Sequence, residues 1–209
     1  MSESPLLARL VVLISGNGTN LQALLDACQE GRLAAQVVAV VSNRRDAYGL
    51  VRAQQSGVPA VYFPLRPYTE SGQPRETYDQ DLAARVAAFQ PDLIVCAGWM
   101  QILTPVFIGR FADRLINLHP ALPGFFPGTH AIERAFAAFQ QGEIASSGAM
   151  VHFVMPEIDA GPVLDQMVVP ILPHDQLDDF EERMHTCERI LLVRAVQKWL
   201  AALADSPSS

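Results

Sequence analysis

Short apolar runs alternate with longer stretches of helical spacing along most of this chain. The runs at 10–14, 37–41 and 93–97 have no polar break, as strands buried on both faces do. Shorter runs at 60–63 and 115–118 predict two more strands. Leu21, Leu24 and Leu25 recur at helical spacing after the first strand. A second helix is predicted over 46–55, with Gly57 ending it. Tyr78, Leu82, Val86 and Phe89 predict a third over 76–89, broken by Pro91. Ile132, Phe136 and Phe139 predict a fourth, with Thr129 as its cap and Gly142 as its stop. A long amphipathic helix is predicted over 175–203. Residues 66–74 read as a polar loop. Runs at 149–154 and 163–170 predict two closely spaced strands, hence an antiparallel pair at one edge. There is no internal repeat and no linker composition. The pattern predicts an α/β fold: a doubly wound, mostly parallel sheet with helices on both faces and an antiparallel edge. At 209 residues, a single domain spanning 1–209 is expected, with an ordered core over roughly 8–204 and frayed termini.

Composition narrows the function classes. Half the residues are hydrophobic, but no apolar run approaches the ~20 residues that span a bilayer. Met1-Ser2-Glu3-Ser4-Pro5 lacks the basic and apolar regions of a secretory signal. Cys28, Cys96 and Cys187 are odd in number and far apart, which suggests a reducing compartment without a disulfide frame or cysteine zinc site. A cytoplasmic protein that binds no membrane is expected. The net charge of −7 opposes a nucleic-acid surface, which needs clustered Lys and Arg. Lys198 is the only lysine and falls on the last helix, so Schiff-base chemistry is not expected.

Two motifs carry candidate chemistry. Asn117-Leu118-His119-Pro120 closes the fifth strand. Strand side chains alternate, so Asn117 and His119 share a face at the strand's carboxyl end, where open α/β sheets bind ligands. Ile158-Asp159-Ala160-Gly161-Pro162 forms a second turn. A carboxylate from Asp159 reaching His119 would fix its tautomer and raise its pKa. An amide, an imidazole and a carboxylate together suit acyl transfer. Taken alone, the first motif is equally a turn with a backbone-capping Asn and a solvated His. Ser15-Gly16-Asn17-Gly18-Thr19-Asn20 lies between the first strand and helix. It can cradle a phosphate with backbone N–H groups, or be a tight turn with Thr19 or Asn20 as helix cap. It is neither the dinucleotide fingerprint, since Leu21 replaces the third glycine, nor a P-loop, since Gly-Lys-Ser/Thr is absent.

Together these three segments, with Leu21-Gln22 after the first, resemble the folate-dependent glycinamide ribonucleotide transformylase family, over nearly the whole chain. The resemblance implies a formyltransferase-like, Rossmann-type fold, and formyl transfer from 10-formyltetrahydrofolate, a cosubstrate, to the amino group of glycinamide ribonucleotide in purine biosynthesis, without a metal. It implies that Asn117 and protonated His119 stabilise the oxyanion of a tetrahedral intermediate. His119 would pass a proton to the departing folate nitrogen, and Asp159 would keep His119 charged near neutral pH. It places the ribonucleotide on Gly18, Thr19, Asn20 and Glu188, and the folate on Arg75, on Asn117 and on Met100, Gln101, Ile102 and Leu103, with residues 155–158 as a further wall. Glu188 has independent support: Met184, Glu188, Leu191 and Ala195 share one helical stripe, so a carboxylate interrupts an apolar face. The alternative for Glu188 is a stripe-edge carboxylate in solvent, for Arg75 a solvated loop charge, and for Met100, Ile102 and Leu103 core packing. His152, in an apolar strand, reads as a hydrogen-bonded supporting histidine rather than a catalyst. His130, His174 and His185 carry no partner pattern.

The chain departs from the family at three places. Ala121-Leu122-Pro123-Gly124-Phe125-Phe126 replaces a Ser-Leu-Leu-Pro pattern, Gln101 stands where arginine is common, and Ala160 stands for a frequent glycine, so residue 160 should not need a positive φ. Formyltetrahydrofolate deformylase and a non-catalytic nucleotide-binding α/β module are the competing readings. Deformylases carry an additional N-terminal regulatory domain, whereas the motif here begins almost at the first residue. Transfer-RNA formyltransferases need a C-terminal nucleic-acid domain and a basic surface, whereas this chain is acidic. Small-molecule partners are expected, with a monomeric or homodimeric protein.

Overall fold

A computed structural model describes residues 7–205; the predicted frayed ends and the Met1–Pro5 reading fall largely outside them. Seven strands follow the order β3-β2-β1-β4-β5-β6-β7, the mostly parallel sheet with an antiparallel edge that the alternating pattern predicts. The chain divides into two compact units after Leu115.

In the first unit, β1 (Ala8–Ile14) and β2 (Ala35–Ser42) run parallel, flanked by β3 (Ala60–Tyr62) and β4 (Leu93–Cys96). Leu10 to Ile14 are wholly buried. Apolar side chains on both faces of a central strand need cover on both, which is why these runs lack polar breaks. Helices α1 (Thr19–Gln29), α2 (Tyr48–Gln55) and α4 (Arg75–Ala87) fall near their predicted positions. Gly57, at φ 70°, ends α2 as expected.

Two short helices here were not predicted. Residues 66–70 of the expected polar loop form α3 (Arg66–Glu70), because Pro67 presets the first turn and Arg66 pairs with Glu70 at 2.6 Å. Pro105 likewise starts α5 (Pro105–Arg110), whose Phe107 and Ile108 are buried.

In the second unit, β5 (Leu115–His119), which begins at the last residue of the first, pairs antiparallel with β6 (Ser146–Phe153), and β6 with β7 (Val163–Pro170). Helix α6 (Ala131–Gln140) is not capped by Thr129. Its cap is His130 at φ 58°, with no side-chain capping bond. A capping oxygen reaches the first N–H groups from an extended residue immediately before the helix, and Thr129 stands one place too early. Gly142 (φ 74°) does follow the helix end.

Helix α7 (Leu177–Ala204) opens with a capping box between Gln176 and Asp179. Its stripe of Phe180, Met184, Leu191 and Ala195 is fully buried; each of the larger three contributes roughly 1.5–3 kcal/mol. Lys198 and Arg194 reach from α7 to the buried Asp165 of β7 at 2.6 and 2.5 Å. The only lysine is therefore a structural partner.

Candidate functional site

Antiparallel register sets the centre of the second unit. Asn117 lies directly opposite His152 across β5 and β6. His119, two residues on, points to the same face, as strand alternation requires. Asp159 approaches both from the turn between β6 and β7, whose geometry is specific. Asp159 itself takes a left-handed φ of 51°, a conformation that side-chain-bearing residues reach only where the surroundings over-determine it. Ala160 is not among the positive-φ residues, as its replacement of glycine predicts. Gly161 has no room for a side chain, since a Cβ there would collide with the Phe153 carbonyl oxygen.

The Asp159 carboxylate binds several groups at once. Its Oδ2 accepts the Gly128 N–H at 2.8 Å and lies 3.4 Å from His119 Nδ1. Its Oδ1 accepts from Asn117 Nδ2 at 3.3 Å and lies 3.4 Å from His152 Nε2. His152 Nδ1 is 2.9 Å from the Phe153 carbonyl and donates to it, while Nε2 accepts from Asn117 at 3.3 Å in the neutral ring and donates to Asp159 Oδ1 when the ring is protonated. His152 is thus the buried, hydrogen-bonded supporting residue its sequence context predicts, and it fixes the Asn117 amide. Both Asn117 N–H groups are engaged, so donation to a reacting oxygen requires one of them to turn from Asp159 or His152.

The His119 ring lies between two acceptors, Asp159 Oδ2 and, at 3.1 Å from Nε2, the Phe126 carbonyl. Only the imidazolium satisfies both. Burial opposes that charge and is the larger effect; Asp159 and the Phe126 carbonyl pull the pKa up, while His152 and Arg134 push it down. The net result lies below the ordinary value of 6.5. This corrects the expectation that Asp159 holds His119 charged near neutral pH. At 4% exposure, the ring loses more hydration than one carboxylate restores. Burial also acts to raise Asp159, but the neighbouring His152, the Gly128 N–H and His119 outweigh it, and its pKa falls below the usual carboxylate value.

The path of residues 121–128, which the altered sequence left open, is set by three anchors. Ala121 is buried. Leu122 closes against Gly148, where an added Cβ would meet its Cδ2 at 2.6 Å. Arg134 Nη2 donates to the Phe126 and Pro127 carbonyls at 2.8 and 2.6 Å. Elsewhere in this unit, Glu188 is 6% exposed, not a stripe-edge carboxylate in solvent. Its Oε2 lies 2.7 Å from Nδ1 of His185, a residue without a partner pattern in the sequence.

The first unit holds the other predicted residues. Gly18, at φ 77°, caps α1 without a side-chain bond, so neither Thr19 nor Asn20 is the cap. Thr19 is exposed and Asn20 half-buried. The glycine loop rests on α2: a Cβ on Gly18 would meet the Gly49 Cα at 2.7 Å. Arg52, unmarked in the sequence reading, donates to the Asn17 carbonyl at 2.9 Å and side chain at 2.8 Å.

Arg75 is not a solvated charge. Its Nη2 bonds Asp79 at 3.2 Å and the Ile102 carbonyl at 2.5 Å, so two folate-assigned segments are brought together. Met100 and Ile102 are exposed, at 61% and 64%, while Leu103 is buried and Gln101 half-buried. Core packing therefore explains Leu103 alone. Trp99 Nε1, Gln101 Oε1 and Thr104 Oγ1 are buried and find no hydrogen-bond partner among the described residues. Exposed apolar side chains beside unpaired polar atoms suit a flat ring with a polar edge. Among the described residues, no group of three or more His, Cys, Asp or Glu is placed to hold a metal ion, and no helix is long and apolar enough to cross a membrane.

Known proteins are similar to this chain in sequence and fold. The chain is 48% identical over 201 residues to the phosphoribosylglycinamide formyltransferase of Schizosaccharomyces pombe, covering 92% of this chain and 97% of that protein. It is 41% identical to the enzyme of the same name from Escherichia coli, covering 92% and 86%. The crystal structure of glycinamide ribonucleotide transformylase 1 from Symbiobacterium toebii superposes with a TM-score of 0.85 at 38% identity, over 93% of this chain and 88% of that one. The formyl transferase family model matches residues 8–196, a span that takes in the glycine loop, Asn117, His119, Asp159 and Glu188, and the chain is therefore a member of the formyl transferase family.

Proposed function

We propose that this protein transfers the formyl group of 10-formyltetrahydrofolate to the amino group of glycinamide ribonucleotide, a step of purine biosynthesis. The convergence of Asn117, His119 and Asp159 carries this reading, because acyl transfer needs an oxyanion donor, a proton carrier and a group that orients the carrier. The cosubstrate supplies the formyl group. Asn117 turns one N–H toward the oxygen on which negative charge develops, and His119 in its cationic form supports that charge. As the amine bonds to the formyl carbon and the bond to the folate nitrogen breaks, His119 delivers its proton to the departing nitrogen. Asp159 holds the ring by Nδ1 and favours the imidazolium. It also lies where it can order a water that accepts the proton lost by the amine.

The remaining residues bind. Gly18, Thr19 and Asn20 offer the start of α1 to the ribonucleotide phosphate, and the buried Glu188 carboxylate accepts hydrogen bonds from the same substrate. Arg75 and residues 100–103 take the folate, with apolar contact from Met100 and Ile102 and polar contact from the unpaired atoms beside them. The acidic balance, −7, supports small-molecule partners over nucleic acid. A cytoplasmic setting with a monomeric or homodimeric enzyme suits this chemistry. Tetrahydrofolate release, followed by absorbance with and without glycinamide ribonucleotide, tests the proposal. Release that depends on the ribonucleotide is expected. Release in its absence would mark a deformylase, and no release under either condition a binding module.

A further inference from the structure

Asp79 is a charged residue with no exposed surface, and the chemistry above makes no use of it. It lies on α4, one turn after Arg75, and its two carboxylate oxygens face different partners. Oδ1 accepts from Arg75 Nε and Nη2 at 3.3 and 3.2 Å, while Oδ2 accepts the Thr104 N–H at 2.6 Å. Arg75 carries the connection onward, since its Nη2 also donates to the Ile102 carbonyl at 2.5 Å and its guanidinium lies over the Tyr78 ring, 5.2 Å from its centroid, within the range of a cation–π contact. At the other end of the segment, the Met100 N–H donates to Ser15 Oγ at 2.9 Å. Residues 100–104 are thus pinned at both ends and near the middle, and two of the three pins trace back to Asp79.

Between these pins the segment shows features that its own packing does not explain. Met100 and Ile102 are exposed. Of the four buried side-chain polar atoms without a partner among the described residues, three belong to Trp99, Gln101 and Thr104. Unpaired buried polar atoms are costly, and three within one short segment mark an edge built for a ligand. A buried carboxylate is costly too, unless its bonds are satisfied. Asp79 is satisfied only by holding Arg75 and Thr104 where they are.

We infer that Asp79 is the positioning residue of the cosubstrate-binding segment: it fixes Arg75, and through Arg75 and Thr104 it sets the backbone of residues 100–104 in the geometry that receives the folate. Much of the Arg75 guanidinium is engaged within the protein, so its main contribution is to hold this segment. The inference rests on the assignment of the segment to 10-formyltetrahydrofolate.

Two variants and two readouts test it. Asp79→Asn keeps the shape and an acceptor for Thr104 but faces Arg75 with an amide that cannot pair with it. Its KM for 10-formyltetrahydrofolate should rise about tenfold or more, the loss expected when one hydrogen bond to a charged group is removed, while kcat and the KM for glycinamide ribonucleotide stay within about twofold. Arg75→Gln should give the same split, and it serves if the Asp79 variant does not fold. Hydrogen exchange of the peptide carrying residues 100–104 should accelerate in both. Unchanged cosubstrate KM and exchange in Asp79→Asn would overturn the inference. So would an Arg75→Gln enzyme that loses cosubstrate affinity with normal exchange, because Arg75 would then act on the folate directly. If the wild-type protein shows no ribonucleotide-dependent turnover, the assigned function fails, and the exchange measurement still decides whether Asp79 holds the segment.

Discussion

Asn117 and His152 face each other across antiparallel strands, with Asn117 Nδ2 3.3 Å from His152 Nε2. Because His152 gives its other nitrogen to the Phe153 carbonyl, it offers the Asn117 amide a lone pair. The amide is held in place before any substrate arrives, and it gives up one of its two bonds, to His152 or to Asp159, when it turns a donor toward the developing charge.

Replacing Asn117 with alanine removes the proposed oxyanion donor and strands the buried His152 nitrogen. Turnover is expected to fall by about 100- to 1,000-fold. Unfolding free energy should drop by roughly 1–3 kcal/mol, the usual cost of an unsatisfied buried polar group. Steady-state kinetics and urea denaturation measure the two effects separately. Near-normal turnover in a folded variant would remove Asn117 from the chemistry.

Asp159→Asn tests the charge balance on His119. Burial already holds the His119 pKa below 6.5, and Asp159 is the first influence opposing it. Without that carboxylate the pKa falls further, so less imidazolium is present at any given pH. The variant should lose about 100-fold or more in kcat/KM at neutral pH, within the usual range for a proton-transfer group. Its residual activity should rise toward acid, with the limb displaced to lower pH than in the wild type. Profiles of identical shape would show that Asp159 does not act through the His119 proton.

Gly161→Ala places a Cβ against the Phe153 carbonyl oxygen. Backbone cannot yield as a flexible side chain does, so a loss on the order of 1–3 kcal/mol is expected from overpacking. Asp159 lies two residues earlier in the same turn, and activity should fall more than stability alone explains. A thermal melt paired with an activity assay well below the midpoint distinguishes the two. A variant as active and stable as the parent would mean that the turn does not place Asp159.

The three thiols should be slow toward alkylating reagents in the native protein. Burial pushes Cys96 up to about 12, and Cys28 and Cys187 to about 11. Little thiolate exists near neutral pH, and the thiolate is the reactive form. Iodoacetamide labelling followed by mass measurement should show little modification until denaturant is added. Rapid native labelling of any one of them would contradict its placement.

What could be read in advance followed from local rules. Buried strands reveal themselves as unbroken apolar runs, so β1, β2 and β4 were legible. The alternation along β5 placed Asn117 and His119 on one face. Ala160 marked where the turn around Asp159 needs no positive φ, although the left-handed residue proved to be Asp159 itself, and the lack of room at Gly161 emerged only from its packing against the Phe153 carbonyl. Helices α3 and α5 escaped because they are too short to show a period; proline at their first turns was the available signal. His130 replaced Thr129 as a cap because backbone direction, not residue preference, decides where a side chain points.

The sequence by itself determined the α/β class, the order of the strands and longer helices, and the three residues on which formyl transfer is proposed to depend, since each follows from periodicity or from a contiguous motif. Only the tertiary structure decided that His152 supports Asn117, that His185 meets Glu188, that Asp79 and Arg75 hold residues 100–104, and that His119 is less basic than its carboxylate neighbour suggested. These facts depend on distances between residues far apart in the chain and on the loss of water around them. Burial and pairing are properties of the packed chain, so no local pattern could state them.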